Sequence, residues 1–329
     1  MKTMLFVLFI IIAVYPKTIQ IKMASIAPEN SPWGETFNKI AAQWSEISKG
    51  TVKLKIYHNG IVGSEGNMIR KMKIGQIQAG AFSSYGLTKI TPEIMSLSIP
   101  FLIKTDEELN YVLEKINPML ESQMQSNDFV SLGFSKAGWI RFFTKGKAIT
   151  DPDDLMSLKI ACNPDEQALY GLWKNMKYHL IPVSFADILQ YLNNGLINAI
   201  FVSPIAAGSM QWFGIANNMT DLTIAPFLGG ILVNKKQWDR IPDELKGELK
   251  NVVTENIKQL DKDIIELEKT AIETMVSYGL KVHPVSDELN KKWTGVFDSN
   301  LGLNVEELSK NELYSSVKLY LKEYHEKNK

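Results

Sequence analysis

The sequence is poor in the residues from which enzymes and metalloproteins build their sites. Its single cysteine, Cys162, excludes an internal disulfide and any cysteine-rich metal site. The four histidines are scattered without HxxxH or HExxH spacing, so a zinc site has no support. Neither a GxxxxGK[ST] or GxGxxG phosphate cradle nor a GxSxG nucleophile elbow occurs. We therefore expect a protein that is not an enzyme and that uses no metal or cofactor.

An excess of charge of either sign is also missing. Lysine plus arginine total 36 and aspartate plus glutamate total 36, so the net charge is zero. No bulk field would attract nucleic acid or an anionic membrane surface, and we expect no nucleic-acid partner. Arginine is scarce beside lysine and occurs as Arg70, Arg141 and Arg240, a bias that a low-GC genome explains. Partners must be recognised by local groups.

The amino-terminal segment has the pattern of an export signal. Lys2 precedes an apolar run from Leu5 to Val14, which is too short to cross a bilayer but suits the core of a secretory signal. We expect residues 1–18 to direct the chain to the periplasm. An uncleaved anchor stays open as the alternative, because no small-x-small cleavage motif is evident.

The rest of the chain alternates strand-like and helix-like segments. At 329 residues with 45% hydrophobic residues, it is long enough for two domains with separate cores. Amphipathic helices are predicted at 32–48, 106–125, 166–176 and 185–193. The predicted strands are VKLKIYH, QAGAFS, EIMSLSIPF, FVSLGFS, LKIAC, YHLIPVS and NAIFVS. This order predicts an α/β fold with mainly parallel sheets flanked by helices.

One helical pattern is much longer than the others. Between Pro242 and Gly279, apolar residues recur at three- and four-residue steps without a break. At 1.5 Å per residue the helix would span about 50 Å, which is longer than one small domain is wide. The spacing does not keep a strict heptad, which disfavours a coiled coil. We expect one long helix that braces two domains.

Five stretches, in this order, resemble the periplasmic substrate-binding subunit of TRAP transporters, the DctP-like family. They are KLKIYHNGIVGSEGNMIRKMKIGQIQAG, SIPFLIKTDEEL, ITDPDDLMSLKI, IPVSFADILQYLNNGLINAI and GGILVNKKQWDRIPDELKGEL. The resemblance implies a two-lobed periplasmic binding protein fold that closes on a ligand and delivers it to a membrane permease. Lobe I would comprise residues 19–133 and 226–254, and lobe II residues 134–225 and 255–329.

The residues that this family uses to hold carboxylates are only partly present. Most members place an arginine after the DLxxLK turn, where it forks onto a substrate carboxylate, but this chain has Ala161 there. A second family arginine is matched by Arg141 in GWIRFF. The family asparagine falls on Val202 or on Ser203, and both positions stay open. The lower lobe has therefore lost its main carboxylate clamp.

Loss of the clamp predicts a ligand that is mostly apolar, because an unpaired carboxylate in a desolvated site costs several kcal/mol. Arg141 would hold one acidic head group or pair with a protein carboxylate such as Asp165. Aromatic residues at strand ends favour an apolar cleft. The predicted ligand-contacting residues are Trp33, Phe82, Ser83, Tyr85, Trp139, Arg141, Ala161, Asn163, Phe201, Ser203 and Trp212.

Two other functions stay open. One is a conventional carboxylate-binding TRAP protein that relies on Arg141, and the other is a scaffold or sensor whose cleft serves a protein partner. One branch of the family works with a periplasmic tetratricopeptide-repeat protein, and loss of the arginine clamp points to that branch by analogy. The expected partners are thus an apolar small molecule, the permease and a repeat protein.

Overall fold

The computed structural model describes residues 18–162, 167–303 and 311–328. The strands are β1 (Ile19–Ser25), β2 (Val52–Tyr57), β3 (Ala79–Ser83), β4 (Phe129–Trp139), β5 (Arg141–Thr144), β6 (Lys159–Cys162), β7 (His179–Pro182), β8 (Ala199–Val202), β9 (Asn218–Asp221), β10 (Pro226–Asn234) and β11 (Lys281–Pro284). The helices are α1 (Pro32–Ile47), α2 (Glu65–Lys73), α3 (Ser84–Thr88), α4 (Asp106–Ser126), α5 (Gln167–Asn175), α6 (Ile188–Asn193), α7 (Pro204–Ser209), α8 (Lys235–Trp238), α9 (Asp243–Ser277), α10 (Asp287–Leu303) and α11 (Glu312–Lys327).

The strands form two mixed sheets, each the centre of one lobe. Lobe I has the strand order β2-β1-β3-β10-β4 and lobe II the order β11-β9-β5-β8-β6-β7. In lobe I, β1 is parallel to β2 and β3, whereas β10 is antiparallel to β3 and β4. In lobe II, β6 is parallel to β7 and β8, and β5 is antiparallel to β8 and β9. The predicted α/β class is confirmed, with β5 and β10 as the antiparallel exceptions.

Local sequence explains where the main helices begin. Ser31 precedes Pro32, and its hydroxyl accepts the Gly34 N–H at 3.2 Å, so α1 starts with an ordinary serine cap and a proline in its first turn. Thr105 caps α4 in the same way through the Glu108 N–H, also at 3.2 Å. Both helices were predicted to within one residue of their observed bounds.

One predicted strand is wrong. Most of the stretch EIMSLSIPF lies in a 3-10 helix, Pro92–Ser98, and the rest forms a turn, so no strand is present there. Pro92 sits in its first turn and lacks the N–H that a sheet ladder needs. Ile94 and Leu97 are buried in the core of lobe I, and Met95 is buried in the core of lobe II. The segment is therefore apolar because it covers both cores and not because it pairs in a sheet.

Helix α9 joins the two lobes, as its length predicted. Its 35 residues would extend about 50 Å. The amino-terminal half packs against α1 and β4, where Leu249 and Val253 enter the core of lobe I. The carboxyl-terminal half packs against α7, and Met275 enters the core of lobe II.

The chain passes between the lobes through β4, β10 and α9. Where β4 ends, Ile140 exchanges backbone hydrogen bonds with Ala225 at 2.8 Å and Ile224 at 3.0 Å. The sequence-based division assigns residues 255–329 to lobe II. Helix α11, however, packs against α4 and the 3-10 helix of lobe I, because its apolar face completes that core.

No helix in the described ranges is both long enough and apolar enough to cross a membrane. Residues 1–17, to which most of the predicted signal or anchor belongs, lie outside those ranges.

An apolar cleft as the candidate functional site

A cavity of about 90 Å³ lies between the lobes. It opens at the carboxyl ends of β1 and β3, which is where α/β proteins place ligands. Strands β4 and β10 and the middle of α9 form its back wall. The principal side chains that face it are Trp33, Phe37 and Phe82 from lobe I and Phe185, Ala206 and Met210 from lobe II.

The walls of this cavity offer few polar groups to a ligand. None of the described residues that line it carries a charge. Four hydroxyl groups reach the wall, and each already has a partner in the protein. Ser25 Oγ accepts the Ala27 N–H (3.0 Å), Thr36 Oγ1 donates to Pro32 O (2.8 Å), Ser83 Oγ donates to Glu65 (2.9 Å), and Ser135 Oγ donates to Asp261 (2.7 Å).

A buried carboxyl group lies directly behind Ser83. Glu65, the first residue of α2, is 5% exposed and accepts the Ser83 N–H at 2.6 Å and the Ser83 hydroxyl at 2.9 Å. Burial raises the pKa of Glu65 to about 7, against the opposing effects of the two Ser83 hydrogen bonds and of Lys89. The cleft wall is thus coupled to a group that titrates near neutral pH.

A second acidic group fixes the back wall where the chain crosses between lobes. Asp261 of α9 accepts the Ser135 hydroxyl at 2.7 Å and the Lys136 N–H at 3.2 Å. Burial raises the pKa of Asp261 to about 6, although these hydrogen bonds and the Lys136 charge oppose the change. The Lys136 ammonium is itself buried and pairs with Asp106. These contacts tie α9 to β4.

Arg141 does not line the cavity. Its Nη1 donates to Glu268 Oε1 at 2.6 Å, and its Nε lies 3.5 Å from Asp221 Oδ1. The side chains of Arg141 and Glu268 are 15% and 8% exposed. Burial raises the pKa of Glu268, and the Arg141 charge opposes that rise. Arg141 therefore pairs with a protein carboxylate from α9, while Asp165, the partner named from the sequence, lies outside the described residues.

Trp139 lies beside this ion pair, in a groove along α9 that is separate from the cavity. Its backbone N–H donates to Glu268 Oε2 at 3.1 Å, and its indole N–H donates to Asp106 at 2.9 Å. The predicted residues Trp139 and Arg141 are thus brought together, but against the long helix and not against the ligand space.

The other predicted residues divide between two cavities and the core. Trp33, Phe82 and Ser83 line the cavity of about 90 Å³ between the lobes, which we call the main cavity. Tyr85 and Phe201 line a second, smaller cavity of about 20 Å³.

Three of the remaining predicted residues are buried in lobe II. Trp212 packs edge-on against Phe185, with ring centroids 4.8 Å apart, behind the cavity wall. Ala161 lies in the core of lobe II, paired with Ile181 on β7, and lines neither cavity. Ser203 is fully buried and caps α7 through the Ala206 N–H at 3.3 Å. Asn163 lies outside the described residues.

Several important residues were not singled out from the sequence. Phe185 and Phe227 lie on the cavity wall, and the position of Phe185 just after β7 was a usable signal, since ligand groups gather at strand ends. Glu65 and Glu268 gave no such signal, because each stands in a helical stretch where a glutamate is ordinarily solvent-exposed.

A metal site has no candidate within the described ranges, where no three His, Cys, Asp or Glu residues are grouped suitably.

The family model for bacterial extracellular solute-binding proteins, family 7, matches residues 23–317. The 2,3-diketo-L-gulonate-binding periplasmic protein YiaO of Escherichia coli is 24% identical over 241 residues, which are 72% of each chain. The C4-dicarboxylate-binding periplasmic protein DctP of Rhodobacter capsulatus is 20% identical over 283 residues, which are 84% of each chain. Both relatives are similar to this chain over most of their length.

Solved structures share the fold. A TRAP periplasmic solute binding protein from Sulfurospirillum deleyianum with bound succinate superposes with a TM-score of 0.85 at 17% identity, covering 92% of this chain and 99% of that one. The sugar acid binding protein DctPAm from Advenella mimigardefordensis in complex with galactonate superposes with a TM-score of 0.85 at 18% identity, covering 93% of this chain and 99% of that one. The predicted two-lobed binding-protein fold is confirmed.

Proposed function

The chain belongs to family 7 of the bacterial extracellular solute-binding proteins, and on that premise we propose that it is the binding component of a TRAP-type transporter for a mainly apolar ligand. The two lobes would close on the ligand and present it to a membrane permease. The observation that carries the ligand class is the apolar, uncharged wall of the interlobe cavity together with the engagement of Arg141 by Glu268.

The energetics of the ion pair favour an apolar ligand over an acid. To reach a ligand carboxylate, Arg141 would have to leave Glu268, which would then be a buried carboxylate without its partner. Breaking a buried pair in this way costs about 3–5 kcal/mol. An apolar ligand avoids that cost and gains about 25 cal/mol for each Å² of apolar surface it buries.

A carboxylate ligand is the second candidate. It is favoured by the relatives, since succinate and galactonate are bound in the two similar structures. For this chain it requires Arg141 to turn from Glu268 into the cleft when the ligand binds.

Calorimetry with the variant Arg141→Met separates the two candidates. Arg240→Met is the matched control, because Arg240 is exposed and hydrogen-bonds only to Gln237 among the contacts described. For an apolar ligand, 2-octanone should bind the wild type and both variants with affinities within about twofold, and succinate should bind none of them. Tight binding of succinate or galactonate that Arg141→Met abolishes and Arg240→Met preserves would overturn the proposal.

The proposed partners are the permease and a periplasmic tetratricopeptide-repeat protein. The second rests on the missing arginine clamp alone and is an analogy. A pull-down from native membranes should recover both proteins, and repeated recovery of the permease without a repeat protein would reject the second partner.

We place the protein in the periplasm, exported by residues 1–18. Membrane fractionation with amino-terminal sequencing would distinguish a cleaved signal from a retained anchor. A soluble mature chain that begins after residue 18 is the expected result.

A further inference from the structure

The small second cavity lies directly beside the main one, and we name it the inner chamber. Ser84 and Tyr85 reach it from lobe I, and Trp173 and Phe201 reach it from lobe II. Two consecutive residues line the two spaces: Ser83 lines the main cavity and Ser84 lines the inner chamber.

Three rings separate the two spaces, and we name them the aromatic partition. Phe185 and Phe227 are stacked with ring centroids 6.1 Å apart and face the main cavity. Tyr85, which faces the inner chamber, lies 5.7 Å from Phe185 and 6.1 Å from Phe227. These contacts come from both lobes, so a change in the lobe angle moves the rings apart.

The inner chamber has a buried hydrogen-bond donor on its wall. Trp173 is 2% exposed, stacked on Phe201 at 5.2 Å, and its indole N–H has no acceptor in the described part of the chain. The indole N–H of Trp33, on the main cavity, is also buried and unpaired in the described structure. Buried donors are ordinarily paired, so each unpaired one calls for an explanation.

Three other tryptophans, Trp44, Trp139 and Trp293, follow the ordinary pattern. The Trp44 indole donates to the Leu249 carbonyl, the Trp139 indole to Asp106, and the Trp293 indole to the Thr150 carbonyl. Within the described residues, the two fully buried indole N–H groups without an acceptor, those of Trp33 and Trp173, lie on the walls of the two interlobe spaces, where a ligand can supply the acceptor.

We propose that the ligand extends through the aromatic partition and places an uncharged oxygen acceptor, such as a carbonyl, against the Trp173 indole, with its hydrocarbon part in the main cavity. This inference rests on the proposed function. An uncharged acceptor is favoured over a carboxylate because the described walls of both spaces provide donors but no cation.

The enclosed volumes set the scale of the ligand. About 90 Å³ and about 20 Å³ are each less than the roughly 150 Å³ cavity that holds benzene in another protein. Even joined, the two spaces are smaller than that cavity, so a chain of about eight carbon atoms requires the lobes to move apart as well as the partition to open.

The test uses the full chain with three eight-carbon probes: 2-octanone, n-octane and octanoate. In ¹⁵N-labelled wild type, the Trp173 indole signal, assigned through contacts with Phe201, should move downfield with 2-octanone and not with octane. Trp173→Phe should weaken the binding of 2-octanone by about five- to tenfold, because one hydrogen bond is lost, and should leave the affinity for octane unchanged. Trp238→Phe, a buried tryptophan in lobe I away from both spaces, is the control.

The outcomes are distinct. Equal binding of ketone and octane with an unmoved Trp173 signal would overturn the inner-chamber inference and leave the proposed function standing. Binding of octanoate alone would reject both. If Trp173→Phe does not fold, Ala225→Val narrows the same chamber, and it should weaken 2-octanone more than octane; equal effects on the two probes would contradict the inference.

Discussion

The buried carboxyl of Glu65 should make the stability of the protein fall as the pH rises from 5 to 8. At pH 5 the folded protein holds Glu65 mostly protonated, because its pKa is raised to about 7. The unfolded chain has already lost most of that proton, since an exposed glutamate titrates near 4.5. The folded state therefore binds more protons in this range, and raising the pH removes stability.

The size of the effect follows from the two pKa values. The difference between about 7 and 4.5 is 2.5 pH units, and each unit corresponds to about 1.36 kcal/mol, which gives about 3 kcal/mol. This contribution is fully present below pH 4.5 and is lost as the pH passes through 7. Glu65→Gln has no charge to acquire, and its amide can keep both contacts with Ser83.

Urea unfolding at half-unit pH steps from 5 to 8 measures the free energy of unfolding of wild type and Glu65→Gln. The difference between them should change by about 2–3 kcal/mol in favour of the variant from pH 5 to 8, because a part of the full contribution is already lost at pH 5. Glu46→Gln, at an exposed position on α1, is the control for the substitution itself. A difference between wild type and Glu65→Gln that stays flat from pH 5 to 8 would refute the reasoning. Other groups, such as Asp261, cancel in the comparison.

Three further predictions concern the crossing between the lobes. Glu268→Ala should lower the free energy of unfolding by about 3–5 kcal/mol, because it leaves Arg141 buried without its main partner. The control Glu255→Ala removes an exposed ion pair and should lower that free energy by under about 0.5 kcal/mol. Similar losses of stability in the two variants would contradict this account. Gly138→Ala should lower the free energy of unfolding, measured with urea, by more than about 1 kcal/mol, since φ is +99° and the added Cβ would lie 2.8 Å from the Cβ of Ser203. An unchanged urea midpoint would count against that strain. Small-angle scattering should show a smaller radius of gyration with bound ligand, because the lobes hinge on β4 and β10, and an equal radius in a fully liganded sample would argue against hinge closure.

The sequence predicted elements that depend on local pattern and missed those that depend on packing. The bounds of α1, α4 and α9 were predicted closely because they depend on local signals. These signals are the capping residues of α1 and α4 and the apolar period of α9. The stretch EIMSLSIPF failed because a short apolar run does not distinguish a strand from a buried 3-10 helix.

The contents of the site required the fold. Arg141 and Glu268 are 127 residues apart, and Glu268 looks like any other glutamate of a long amphipathic helix until α9 is packed on β4. The sequence likewise could not show that the Trp173 indole lacks an acceptor among the described residues, because every tryptophan carries the same N–H. Ala161 was expected at a cleft and lies in the core of lobe II, since one small residue at a strand end serves either place.

The packing of α11 on lobe I has a consequence for how the protein is made. Leu313, Val317 and Leu321 complete a core that also contains Ala24 of β1, so nearly 300 residues separate parts of one hydrophobic cluster. Helix α4 is covered on one side by β4, but the side that faces α11 stays uncovered until α11 has left the ribosome, so the core of lobe I is completed last. We therefore expect the chain to stay incompletely folded until its synthesis ends, which is compatible with the export proposed above.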